Sequence, residues 1–583
     1  MPIVPVSART NPNLATFKIL SEGTEIPPEI GVAMIAVTQA VNKLPAARIV
    51  LFDGDVASQD FEVSGGDFFI PGKKITVKAG YNNDEEVIFE GIIIRHGIEA
   101  RGGASKLILE LRDPAVKMTV GRKNKYFFDS KDSEIIEDLI SGYGLGSEVE
   151  ATTTTHKEMV QFYCSDWDFM LTRAELNSKL ILVENGKVKM KSAEVSADAK
   201  LELEFGTNVV EIEAEMDART QYASSKSKGW DMANQELLEL ESPDPGIDFQ
   251  GDLSGQELAE VIGLEDFTLL HGGGFSGEEL QNWADANMLK SRLSKIKGQI
   301  KIHGDNTIKP GDMVQLSGFG SRFNGKAFVS SVYHEVSPSQ KWFTTLGLGL
   351  DHRFISSVFD DIVAVPAAGL VPAMKGLHIG KVTGLEDPDG ENRVKILLPM
   401  IDASSEGTWA RLATLDAGGE GVRGAVFYPE IGDEVIVGFI NEDPRQPIIL
   451  GSLFSSANAS PIEVKDDNFK KGYTSKTELK LHFDDEKKSI RIETPGGRIV
   501  EMNDEDGRIS MEDESGNKVI LDSDGITMES SADFKIKATG DVKIEGMNVD
   551  IESSAQLTTK GGAGAEFSSS GQTIVKGSLV QIN

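Results

Sequence analysis

Along most of this chain apolar and polar residues alternate strictly, the pattern of strands with one covered face. Over residues 14–112 the runs KITVKAG, EVIFEGIIIRHGIEA and SKLILELRD stand between glycine, asparagine and aspartate turns, which predicts an antiparallel barrel. Two stretches switch to helical spacing. Residues 132–145 place Ile135, Ile136, Leu139 and Ile140 on one face ahead of a glycine stop, and residues 166–180 repeat the pattern. With strands around 181–190 they predict a small α/β insert. Strand grammar returns over 208–356, interrupted by a helix at 276–296 that a serine cap and an acidic first turn begin. Residues 363–374 have the proline, alanine and glycine content of a linker. Five short strand candidates follow between 377 and 453, and 454–473 is polar and turn-rich.

The C-terminal hundred residues carry a different rhythm. FKIKATGDVKIEGMNVDIESSAQLTT pairs Phe534 with Ile536, Val542 with Ile544 and Val549 with Ile551 at i and i+2. The pairs recur about every eight residues, and upstream the units GGRIVEM, DGRISME, GNKVILD and DGITMES recur about every nine or ten. A unit this short cannot bury its own apolar face and must stack. A single-chain β-helix needs roughly 20 residues per coil to enclose a core. Three identical chains wound together close the gap, so the pattern predicts a homotrimeric triple-stranded β-helix, or β-prism. Roughly a dozen layers at about 4.7 Å give a needle on the order of 50 to 60 Å.

Length and charge bound the function. At 583 residues the chain exceeds one core and three or four domains are expected at about 150 residues each. A formal charge of -33 argues against nucleic acid and anionic membranes, which both need a positive face. The single cysteine, Cys164, makes no intrachain disulfide and reads as a small core residue. The start MPIVPVSARTNPNLATF lacks the plan of a signal peptide, and the most apolar later run, IVAVPAAGLVPAM, is short and broken by Pro366 and Pro372. A chain made in the cytoplasm, with no membrane span, is expected.

Candidate chemistry is sparse. His271 and Gly272 to Gly274 ahead of Ser276 have a superficial look of a lipase oxyanion loop, but GFSGE lacks the glycine spacing of a nucleophile elbow. A loop and helix cap is the expectation there, and Asp166 and Asp168 read as helix-start carboxylates. The DPDG at Asp387, DEDG at Asp504 and DSDG at Asp522 do not keep calcium-loop spacing and read as turns. No catalytic residue, cofactor or metal is expected.

Residues 377–453 then become specific. LHIGKVTGLEDPDGENRVKILLP, WARLATLDAG and YPEIGDEVIVGFINEDPRQPIILGSLF resemble the OB-fold domain of VgrG proteins and contractile phage tail spikes. Gly432, Glu434, Val435, Pro444, Pro447 and Gly451 carry the signature; Glu430 and Asn392 stand where that family often has arginine and glycine. PGKKITVKAG, LELRDPAVKM, SDWDFMLTRAELN, IKPGDMVQLSG and FNGKAFVSSVYHEV are similar to the tail-hub domain of the same proteins. The resemblance implies a mainly β, multidomain chain: hub β-barrel 1 at 1–115, an α/β insert at 116–207, hub β-barrel 2 with a helix at 208–362, a linker at 363–376, the OB-fold barrel at 377–456, a linker at 457–475 and the β-helix spike at 476–583.

It also implies a function. The chain is expected to be the structural, non-enzymatic spike and hub of a contractile injection system, a homotrimer that seats the inner tube on a pseudo-sixfold ring and punctures a membrane when the sheath contracts. The implied partners are inner tube and baseplate proteins at the hub, effector cargo, and a PAAR-type tip protein on Leu579, Val580 and Ile582. No nucleic acid and no stable membrane anchor are expected. About 20 residues join OB fold and prism, far too few for an inserted cell-wall hydrolase, and no effector domain is expected after KGSLVQIN. Type VI secretion, a phage tail and a released particle are all compatible with the sequence. The rival classes are a trimeric tail fibre or receptor-binding adhesin, which usually ends in a globular head, and a polysaccharide-cleaving β-helix enzyme, which needs longer coils.

Overall fold

The computed structural model describes residues 15–582 except 103, 248, 338–340, 420 and 421. The first fourteen residues, where the sequence reading starts the first barrel and looks for a leader, lie outside that range. The chain divides into two compact units, residues 1–374 with 441–444, and residues 375–440 with 445–583.

In the first unit one thirteen-stranded sheet supports two cores. The strands obey their alternation: in Lys74–Tyr81, Ile75, Val77 and Ala79 are buried while Lys74, Thr76 and Lys78 turn outward. The first core collects Ile35, Ile49, Leu51, Phe69, Phe89, Leu107, Leu109 and Leu111, all 1% exposed or less. The second collects Leu203, Ile300, Ile302, Val314, Val332 and Leu346. Each such side chain contributes about 1.5–3 kcal/mol by leaving water.

What joins the halves is a pairing between strands far apart in sequence. Gly325–Val336 lies antiparallel to Val32–Ala40, with Ser331 opposite Ala40 and Val336 opposite Ile35. Val336 and Trp342 then pack into the first core. Gly304 makes room for the indole, since a Cβ there would fall 1.9 Å from a Trp342 ring atom. The two segments expected from the sequence to form separate barrels are thus parts of one sheet.

The insert has its own core of Ile135, Ile136, Ile140, Phe169, Met170, Ile181, Val188 and Met190, and Cys164 is buried in it. Its helices are shorter than their apolar spacing predicts. Asp132–Ser141 stops at Gly142, and Asp166–Leu176 stops at Asn177 because Lys179–Glu184 is needed as a strand. Likewise Gly277–Leu293, capped by Ser276, ends before Ile296 enters the strand Ile296–His303. A further helix, Gly255–Ile262, is additional to the sequence reading, although its capping box of Ser254 and Glu257 is visible in SGQE.

The polar centre of the insert is Asp132. Arg173 Nε and Nη2 donate to its two oxygens at 2.6 and 2.9 Å, Asn177 Nδ2 donates at 2.8 Å, and His156 Nε2 lies 3.1 Å away. Burial by itself raises this carboxyl, but His156, Arg173 and Asn177 outweigh it and hold the group at about 2.

The second unit opens with a closed barrel in the order His378–Gly384, Val394–Leu397, Thr408–Leu412, Pro447–Ser452, Glu434–Phe439. Val382, Val394, Ile396, Ala410, Val435, Val437 and Ile449 fill it, all 1% exposed or less. A seven-stranded antiparallel meander follows, from Lys470–Thr474 to Gly525–Glu529. Its first strand lies inside the stretch read from the sequence as a linker, because Tyr473 and Lys471 pair with Leu481 and Phe483.

Two measurements probe the buried carboxylate. Arg173→Leu removes the cation from a buried anion and is expected to lower folding stability by about 3–5 kcal/mol in denaturant unfolding. In the wild-type protein Asp132 titrates at about 2 when folded, against an ordinary 3.8. Its contribution is therefore full above about pH 4 and fades as pH falls towards 2; unfolding midpoints at pH 5 and pH 2 that coincide would contradict this.

Candidate functional site: an uncovered apolar face

Several of the residues expected to carry the OB signature lie in the barrel's strands and turns. Gly432 has φ +102, a left-handed turn just ahead of Glu434–Phe439. Its N–H donates to the Val382 carbonyl at 2.9 Å, and the Val382 N–H donates to the Asp433 carbonyl at 3.0 Å. Val435 is fully buried, Pro447 faces Phe439 in the ladder and Gly451 pairs with Ile436. Pro444 falls in the short 441–444 segment that groups with the first unit. Both departures from the family pattern have local reasons. Asn392 adopts φ +57, which asparagine tolerates nearly as glycine does, and Glu430 takes Lys476 as an ion-pair partner at 2.8 Å.

Beyond the barrel, cross-strand register puts the apolar side chains of the meander into two rows on one face. Tyr473, Leu481, Ile492, Val500, Met511, Val519 and Met528 form the first, and Phe483, Ile490, Met502, Ile509, Leu521 and Ile526, with Lys471 ahead of them, form the second. The opposite face carries charged pairs: Lys480 with Glu493 at 3.3 Å, Arg491 with Glu501 at 3.2 Å, Lys518 with Glu529 at 3.0 Å. Water suits that face. The apolar face is another matter, for its side chains, half-buried Val519 apart, stand between 36% (Ile490) and 68% (Ile526) exposed, whereas the OB core is sealed. A contiguous apolar surface of this kind marks an interface.

The face continues into the ladder. Phe534 lines one hollow with Met511, Val519 and Met528. Phe534, Ile536, Val542, Ile544, Val549 and Ile551 are 50–68% exposed, and Leu579, Val580 and Ile582 stand 75%, 49% and 90% exposed. Among the described residues 530–582 there is no strand, no helix and no backbone–backbone hydrogen bond. The ladder residues expected from the sequence are therefore exposed within their own unit. The meander rows were not singled out, although GGRIVEM and DGRISME carry the same alternation.

Elsewhere the polar candidates are engaged in holding structure. Ser276 caps its helix through the Glu279 N–H, and His271 stacks on Phe275 at 4.3 Å and accepts from the Gly273 N–H. Asp166 accepts from Lys123, Tyr143 and Gln161 at 2.7, 2.6 and 2.8 Å. Asp387 accepts two hydrogen bonds from the Arg393 guanidinium, which holds its carboxyl well below the usual carboxylate range. Asp504 lies in a hairpin turn of the meander, and Asp522 ends the strand just before another, paired with Gly525.

Comparison with known families agrees along the chain. The Alg8 N-terminal domain family matches residues 11–338, the type VI secretion system/phage-baseplate injector OB domain matches 378–454, and the phage baseplate V C-terminal trimerisation domain matches 489–558. The spike protein VgrG3 of Vibrio cholerae type VI secretion is 32% identical over 161 residues, 26% of this chain and 13% of that protein. VgrG1a of Pseudomonas aeruginosa is 27% identical over 225 residues, 35% of this chain and 34% of its own. The chain thus spans about a third or less of these relatives. Among solved structures, an E. coli type VI secretion component aligns over 75% of this chain and all of its own, at 12% identity and a TM-score of 0.39.

The OB and trimerisation family matches, with the VgrG relatives, give the class as a VgrG-like spike protein of the type VI or phage-baseplate kind. The chain belongs to the family of the Alg8 N-terminal domain, which spans more than half its length.

Gly432→Ala tests the barrel closure. No atom crowds a Cβ there, so only the left-handed backbone is penalised, and a loss of about 1–2 kcal/mol in thermal or denaturant unfolding of the OB domain is expected.

Proposed function

We propose that this protein is a non-enzymatic homotrimer, the spike and hub of a contractile injection machine, whose β-helix needle breaches a target membrane when the sheath contracts. The observation that carries the reading is the apolar face of the meander from Lys471 to Met528, free of charge except at Lys471 and exposed at all its large apolar side chains but Val519, with the apolar pairs of 534–551 exposed beyond it. Two further copies of the same face cover it most simply, since three equivalent strands per layer close a triangle. The trimerisation family matching 489–558 supports the same occupant. Wound together, the copies pair the backbone groups that each ladder leaves unpaired, which makes a rigid rod with few free edges.

The partners follow from this geometry. A hub sheet carrying two cores per chain gives six similar modules in a trimer, suited to a sixfold inner tube, with baseplate proteins around it. Leu579, Val580 and Ile582 are assigned as the seat of a PAAR-type tip protein, because three large apolar side chains stand exposed within four residues. Effector cargo travels on the assembled spike. No helix among the described residues is long and apolar enough to cross a membrane, and we read the protein as cytoplasmically made, built into a baseplate and delivered outward. The domain limits drawn from the sequence stand with this proposal, with the spike's first strand moved back to Lys470.

Native mass spectrometry tests the stoichiometry. A trimer is expected, and a stable monomer at micromolar concentration would sink the reading. Ile544→Asp puts three carboxylates near one axis, an expensive burial, and is expected to lower the melting temperature of the spike. An unchanged melting profile counts against the needle.

A further inference from the structure

The two halves of the spike satisfy their backbones in different ways. In the meander every strand pairs with the next one along the same chain: Lys470–Thr474 with Lys480–Asp484, and so on to Lys518–Asp522 with Gly525–Glu529. Each pairing spans only a tight turn, so loop-closure entropy is small and such a sheet forms early. Residues 530–582 have no partner of this kind in their own chain. Their pairing, on the trimer reading, waits for other copies.

We propose, resting on the trimeric reading above, that the apolar face of residues 470–529 is the surface on which copies of this chain first meet, and that the ladder zips afterwards from Ser530 towards Ile582. Four observations converge on that order. The meander is complete within one chain, so its face exists before assembly. That face is apolar at every position but Lys471, so copies that each carry a formal charge of -33 can approach there with least repulsion. The opposite face is laced with ion pairs and stays towards water, which fixes the side that docks. Phe534, the first ladder residue, shares a hollow with Met511, Val519 and Met528 of the apolar face and with Ile499, Glu512, Lys518 and Glu529 of the other, so the ladder starts at the last edge of the docked sheet.

The reverse order is entropically poor. Three unpaired segments would have to find register together, at the concentration of free protein. Once the sheets have docked, the three ladders are tethered at their bases. Their effective concentration then reaches the millimolar range typical of short flexible links, and each layer has only to add to the one beneath. The sheet is the device that makes a short eight-residue repeat assemble in register, and it lets the tip fray and reseal without the trimer coming apart.

Three full-length proteins decide the matter: wild type, the double variant Met511→Asp with Ile526→Asp, and Ile544→Asp. Met511 and Ile526 are 52% and 68% exposed in the single chain and are not cross-strand partners of each other, so charge there spares the meander itself; Ile526→Asp alone repeats the test with a single charge. Native mass spectrometry at micromolar concentration and amide hydrogen exchange are read together. The sheet variants are expected to be monomers with residues 470–529 still protected and 530–582 exchanging freely. Ile544→Asp is expected to remain a trimer in which only the ladder amides lose protection. A wild-type trimer whose sheet variants also stay trimeric, or whose Ile544→Asp variant dissociates as fully as they do, overturns the proposed order and leaves the trimer reading intact. A monomeric wild type overturns both.

Discussion

A strand has two edges and two faces, and each must find a neighbour: the edges a hydrogen-bonding partner, the apolar face a cover. This protein meets that constraint at three different distances. In the hub the partner comes from far along the chain, as Gly325–Val336 lies down beside Val32–Ala40 and merges two cores into one sheet. In the OB domain the sheet closes on itself, so that no edge remains and Val435, Val437 and Ile449 are sealed inside. In the C-terminal segment the edges are met locally as far as Glu529 and, among the described residues, not beyond it, while the apolar face is left largely exposed within its unit.

The buried polar groups obey the same accounting. Asp132 sits at the first turn of its helix with Arg173, Asn177 and His156 around it, and Asp166 begins the next helix held by Lys123, Tyr143 and Gln161. Both carboxylates anchor the insert, tying strands and helices that are distant in sequence. A buried anion with this many donors is costly to disturb. The polar loops that resemble catalytic or metal motifs are likewise spent on geometry: a helix cap at Ser276, an arginine clamp at Asp387, hairpin turns at Asp504 and just after Asp522.

Much of this was legible in the chain itself. Alternation located the hub, OB and spike strands, and the five OB strands follow the run from His378 to Ser452 closely. Helix positions were legible but not their ends. Apolar spacing carried the expected helices on to Leu145, Leu180 and Ile296, whereas each breaks off early where the next strand is claimed by a sheet. The capping box at Ser254 was written in the sequence, yet a short helix among strands gives too little periodicity to stand out. The strand Lys470–Thr474, KKGYT, was hidden for the opposite reason: it is too polar to read as a strand, and only its register with Lys480–Asp484 reveals it.

By itself the sequence determined the period of every segment and hence which residues must share a face, because side-chain direction follows from backbone geometry one residue at a time. It also determined that the eight-residue ladder could not close on its own chain, since a repeat that short encloses no core. Only the tertiary structure decided which strand lies beside which. It joined two cores on one sheet through Trp342 and Val336, and it divided the C-terminal segment at Glu529 into a part paired within the chain and a part left open. Those choices rest on contacts between residues hundreds of positions apart, or on register across a turn, and neither is a property of any local stretch of sequence.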